Sequence, residues 1–156
     1  MVDENTITNL QQVTYRLAIT GAGVITSAEK DHARHEWEEW IIVSAKCRVI
    51  LTLDCFDCVF TTRNDLPTFP CDELRLLPAP AGKVLWQAQS SEQWKTAYNR
   101  WLAKWDTSTF TIGDLMKKPN GDTDAEERLQ TWLSEVDKLG MMMMVVVNGA
   151  RSTISF

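Results

Sequence analysis

The stretch DHARHEWEEWIIVSAKCRVILTLDCFDCVF, Asp31 to Phe60, runs for thirty residues without a glycine or a proline. Within it Trp37, Trp40, Ile41, Ser44, Cys47, Arg48, Leu51 and Cys55 recur at intervals of three and four, the spacing that lines side chains along one face of an α-helix. The reading is one long helix, with a kink allowed near Thr52. A helix this apolar needs other elements around it, so the expected fold is a single all-α domain over residues 1–156 with this helix as its central element.

Upstream, Thr6 is placed to cap a first helix carrying Leu10, Val13, Leu17 and Ala18 on one side, with Gly21 and Gly23 as its breakers. Downstream, Pro67, Pro70, Pro78 and Pro80 remove backbone donors that a helix or central strand requires. Thr62 to Pro80 therefore reads as an extended crossover. Ser90 and Gln93 have capping-box spacing, and Trp94, Tyr98, Trp101, Leu102 and Trp105 follow on one helical face. Asp122 or Thr123 opens a further helix, with Glu126 completing a capping box and Gly140 as its end. The run MMMMVVV, Met141 to Val147, fits a strand or a buried helix equally well by periodicity.

Composition narrows the function. At 156 residues the chain can hide about 70% of its unfolded surface, and 44% apolar with 24% charged residues suits a globular core. Seven tryptophans call for a large aromatic core or a ligand cavity. A net charge of −5, with no basic block, argues against direct nucleic-acid binding, whose affinity comes from clustered Lys and Arg. MVDENTITNL has no secretory pattern, and the seven-residue apolar run is far short of the about 20 a membrane helix needs. The expectation is an intracellular protein, cytoplasmic or nuclear, with no membrane partner and mostly reduced thiols.

Motif chemistry is sparse. Cys55 and Cys58 have the spacing of half a zinc site, but the other candidate ligands, His32 and His35, lie some twenty residues earlier on the same expected helix, roughly 30 Å away. Buried thiols and no metal are expected. GAGVIT follows a helical pattern where a dinucleotide site needs a strand, and NGDTDAEE lacks the closing Glu of a calcium loop. Asp54 and Asp57 form a carboxylate pair, read as structural with Arg48 as the nearest counter-ion rather than as an acid–base pair. No cofactor is expected.

The segments EWEEWIIVSAKCRVILTLDC and LLPAPAGKVLWQAQSSEQW together resemble the fungal-specific regulatory domain of zinc-cluster transcription factors. Trp37, Trp40, Arg48, Leu53, Asp54, Pro67, Leu77, Pro78, Leu85, Trp86, Ala88 and Trp94 carry that resemblance. It implies an all-helical domain that senses small molecules. Cys47, Cys55, Cys58 and Cys71 lack the spacing of the family's six-cysteine finger, Ser44 stands where the family has Glu, Cys47 interrupts its Arg run, and the chain ends at ARSTISF where the family adds helices. The resemblance therefore implies a truncated, stand-alone version without its DNA-binding finger.

The functional expectation is a small-molecule-binding domain of fungal secondary metabolism. It would act as a cofactor-free cyclase of Diels–Alder type on an apolar terpenoid or polyketide intermediate, because holding a substrate in shape needs no nucleophile or metal. The alternative is a truncated regulator or ligand-sensing modulator working through a DNA-binding partner. Arg48, Ser44 and the indoles of Trp40 and Trp86 are the expected catalytic contacts. Trp37, Trp94, Trp101, Asp54, Met143 and Met144 are the expected ligand wall. The MMMMVVV face, left uncovered, is expected to drive homodimerisation.

Overall fold

The computed structural model describes residues 5–6, 8–13, 15–16, 37–66, 72–105, 109–117 and 122–153. Among these the chain is all-α and contains no strand. Helix α1 is Trp37–Arg63, followed by a 3-10 turn at Asp72–Leu76, then α2 (Lys83–Trp86), α3 (Ser91–Lys104), α4 (Ile112–Met116), α5 (Thr123–Glu135) and α6 (Lys138–Thr153). Residues 5–6, 8–13 and 15–16 are also helical, so Thr6 lies inside that segment and does not cap it. Leu17, Ala18, Gly21, Gly23, His32 and His35 lie outside the described residues.

The long helix is α1, and it runs unbroken through Thr52, whose hydroxyl bonds back to the Arg48 carbonyl. It continues to Arg63, three residues past Phe60 and still four short of Pro67. There it ends because Asp65 adopts a left-handed backbone (φ 53°), letting the Leu66 N–H reach the Thr61 carbonyl at 2.9 Å. This is a Schellman stop with Asp where Gly is usual, which is why no glycine marks it in the sequence. The expected extended crossover is correspondingly shorter and carries the 3-10 turn.

The prolines serve a specific pairing. Pro78 forms an isolated antiparallel bridge with Thr111, in which the Ala79 N–H donates to the Phe110 carbonyl at 2.8 Å and the Ile112 N–H to the Leu77 carbonyl at 2.9 Å. Ala79 is the residue between two prolines, so the donor retained between them is the one the bridge uses. The Pro80 carbonyl in turn accepts from the Trp132 indole N–H at 3.0 Å. Thus the crossover is stitched to both α4 and α5.

Capping follows sequence at α3, where Ser90 Oγ accepts from the Gln93 N–H and Gln93 Oε1 accepts from the Gln89 N–H. At α5 the cap is Asp122, whose Oδ1 accepts from the backbone N–H groups of Asp124 and Ala125. A reciprocal box that sequence reading did not single out, Thr111 with Asp114, starts α4.

The end of α5 departs from expectation. The helix stops at Glu135, and α6 begins at Lys138 and passes through Gly140. Asp137 caps the new helix, its Oδ1 accepting from the N–H groups of Leu139 and Gly140. Gly140 is there for packing: a Cβ at this position would collide with Val136 Cγ2 and come within 3.0 Å of the Trp132 ring. The MMMMVVV run is therefore helix, with Met143 buried and Met141, Met142 and Val145 exposed.

Two apolar clusters form the core. The larger joins Ile50, Leu51 and Cys55 of α1 to Leu74, Leu77, Trp105, Phe110, Leu115, Trp132 and Met143. The smaller gathers Trp40, Leu85, Trp94 and Tyr98. Within it Trp94 is fully buried, with its ring centroid 4.5 Å from that of Tyr98 and 5.8 Å from that of Trp40. Most tryptophan surface goes into this aromatic packing, each large ring contributing on the order of 2–3 kcal/mol through burial.

Candidate functional site

Where the two clusters meet, α1, the Pro78–Ala81 segment, α2 and α3 enclose a cavity of about 30 Å³. Ser44 and Arg48 face it from one helical turn of α1, Trp40 stands one turn earlier, and Trp86 and Trp101 close the other sides. Of the residues expected at the site, Arg48, Ser44, Trp40, Trp86 and Trp101 are thus brought together. Their convergence follows from i, i+4 spacing on α1 and from the proline segment that presses α2 against it.

Arg48 organises the site. Its Nη2 is ion-paired with Asp137 Oδ2, and its guanidinium carbon lies 4.5 Å from the Trp86 ring centroid. Both charged side chains are only about one-fifth exposed, at 22% and 20%, so the pair is far better shielded than a surface bridge. The expected counter-ion, Asp54, is corrected to Asp137. Arg48 and Asp54 are six residues apart on α1, about 120° around the helix, and cannot face one another.

Two donors on the residues lining the cavity, Arg48 Nη1 and the Trp86 indole N–H, are buried with no hydrogen-bond partner. A buried donor without an acceptor costs about 1–3 kcal/mol, and more when charged. The site therefore combines two buried, unpartnered donors with an aromatic wall and space for a water or two, or for one small oxygen-bearing group.

The other expected ligand contacts are elsewhere. Trp94 is packed within the aromatic cluster, and Trp37 is half-buried at its edge. Met143 is in the main core with Met144 beside it. Neither methionine lines the cavity.

Asp54 sits near Asp57, whose Oδ1 accepts from Gln11 Nε2 at 2.9 Å. Burial, then the neighbouring Asp57 charge, raises the Asp54 carboxyl from 3.8 to about 6. Burial likewise pushes the Cys55 and Cys58 thiols up to about 11 and about 12, so both stay protonated and unreactive near neutrality. No group of three metal-ligating side chains occurs among the described residues.

Because the folded-state value of Asp54 is raised, the folded chain holds this proton more tightly than the unfolded chain. The resulting stabilisation is full below about pH 4 and is lost as pH rises through about 6. Asp54→Asn is expected to stabilise the protein at pH 7 by about 2–3 kcal/mol and to change little at pH values below about 4. Urea unfolding at the two pH values checks this, and equal effects at both would refute it.

Two surface grooves were not anticipated. One of about 380 Å³ lies between the end of α3 and α5, lined by Lys104, Trp105, Glu127 and Arg128. Another of about 200 Å³ lies beside it, lined by Gly82, Arg100 and Glu135. Their signal in sequence is weak, since charged residues on helix faces are ordinarily just solvated.

Compared with models of known protein families, with curated proteins and with solved structures, the chain matches none. No described helix is long and apolar enough to cross a membrane.

Proposed function

We propose that this chain is a small-molecule-responsive helical domain of regulatory type, which recognises a carbonyl- or carboxylate-bearing apolar metabolite at the Arg48 cavity. The observation that carries this reading is the pair of unpartnered donors, Arg48 Nη1 and the Trp86 indole N–H, beside one cavity. Only the ligand's carbonyl or carboxylate group fits the cavity of about 30 Å³, where its oxygen would accept from both donors; an apolar part would need the space between Trp40 and Trp101 to widen around it. Because Arg48 also holds Asp137, the cap of α6, occupancy would be transmitted to the start of that helix.

The resemblance to fungal regulatory domains supports the same reading, with the readout passed to a DNA-binding partner in the cytoplasm or nucleus. The cyclase reading asks more of the fold. A terpenoid or polyketide substrate needs a pocket of about 300–1,000 Å³, so the cavity of about 30 Å³ would first have to open roughly tenfold.

The test is intrinsic tryptophan fluorescence during titration with acetate, benzoate and decanoate, since the indoles of Trp40, Trp86 and Trp101 border the cavity. A saturable change with at least one of the three, abolished in Arg48→Met, is expected. No saturable change with any of the three at millimolar concentration, or an unaltered response in Arg48→Met, would overturn the assignment.

A further inference from the structure

Helix α1 carries a second apolar stripe on the side away from the cavity. Ile42, Val49, Phe56 and Val59 are 56%, 53%, 48% and 53% exposed, although the same helix gives Trp40, Cys47, Ile50, Leu51 and Cys55 to the core. With half-buried Ala45 and exposed Thr52 they fall at 42, 45, 49, 52, 56 and 59, alternating steps of three and four over about 25 Å of helix. This is the heptad repeat of a coiled-coil seam. Extended by one step at each end, the same register reaches Glu38 in the first turn and Arg63 in the last, both exposed.

We propose that this stripe is the interface for a second copy of the chain, with α1 pairing antiparallel to its counterpart about a two-fold axis. In that arrangement Ile42 meets the partner's Val59, Ala45 meets the partner's Phe56, Val49 meets the partner's Thr52, and Glu38 meets the partner's Arg63. Every large side chain faces a smaller one, and each end of the seam is closed by opposite charges. Parallel pairing would instead set Glu38 against Glu38, Arg63 against Arg63 and Phe56 against Phe56. Charge and size complementarity thus select the antiparallel, self-complementary dimer. The surface differs from the MMMMVVV face, which offers Met141, Met142 and Val145 without a comparable repeat.

Sedimentation equilibrium of the full chain from low to high micromolar concentration tests the proposal. A monomer–dimer equilibrium is expected. Phe56→Asp is expected to weaken it about a hundredfold or more, because two buried rings are lost per dimer. Glu38→Arg and Arg63→Glu are each expected to weaken self-association by about tenfold, while a mixture of these two variants forms heterodimers at the original affinity, since one variant then carries positive charge and the other negative charge at both ends of the seam. A chain monomeric throughout, with Phe56→Asp lowering the Tm, would assign the stripe to another segment of the same chain and overturn the proposal. So would a dimer broken by Val145→Asp and indifferent to Phe56→Asp, or charge variants that do not recover on mixing.

Discussion

Gly140→Ala is expected to destabilise the protein by about 2–4 kcal/mol, although alanine is the better helix former by about 1 kcal/mol. The added methyl has no room. It would collide with Val136 Cγ2 and press on the Trp132 ring, and both residues are buried in the main core. Trp132 is further held by its bond to the Pro80 carbonyl, so it cannot retreat without breaking the link between α5 and the crossover. Gly149→Ala is the matched control in the same helix, where nothing lies within 4 Å of the new Cβ. There the same substitution should be neutral or stabilising by up to about 1 kcal/mol. Thermal and urea unfolding of the two variants should therefore move in opposite directions. Adding Val136→Ala to Gly140→Ala should recover part of the loss by removing the obstructing methyl. Equal effects at the two glycines would mean that close packing at Gly140 is not what keeps it small.

This position also shows what a linear reading misses. A glycine after an amphipathic run is a helix stop by local rules, and here those rules point to the wrong residue. The break comes earlier, at Val136 and Asp137, because Asp137 supplies a cap and an ion pair at once. Local signals suffice where the determinant is local: the periodicity of α1, the Ser90 cap of α3 and the all-α class. They fail where the determinant is a contact distant in sequence. Arg48 and Asp137 are 89 residues apart, so no spacing rule could pair them. The site is half legible for the same reason. Ser44, Arg48 and Trp40 share a face of one helix and could be grouped from spacing, whereas the small volume of the cavity depends on how tightly the proline segment closes over it. Asp54 and Trp94 share the charged or aromatic character of the site residues and the helical phase of Cys47 and Trp101, which line the cavity, but each stands seven residues, about 10 Å, away along its helix.

Asp137→Ala is expected to have a still larger effect, about 3–5 kcal/mol, because it removes two interactions together. The α6 N-terminus loses the acceptor for the N–H groups of Leu139 and Gly140. Arg48, already lacking a partner for Nη1, is left with its other terminal nitrogen unpaired as well, in a site only about one-fifth exposed. Asp137→Asn separates the contributions. Asparagine caps helices about as well as aspartate, so this variant should cost only the ionic part, about 1–3 kcal/mol. Arg48→Met should in turn make Asp137→Asn nearly silent, as the neutral cap then faces a neutral stem. The double-mutant cycle measured by urea unfolding reports this coupling directly. The same cycle bears on the proposed ligand: an added carboxylate should rescue Asp137→Ala more than the parent chain, because it supplies the negative charge that Arg48 has lost. Additive losses in the cycle, with no ligand rescue, would mean that Asp137 acts as a helix cap alone and that Arg48 is not the link between the cavity and α6.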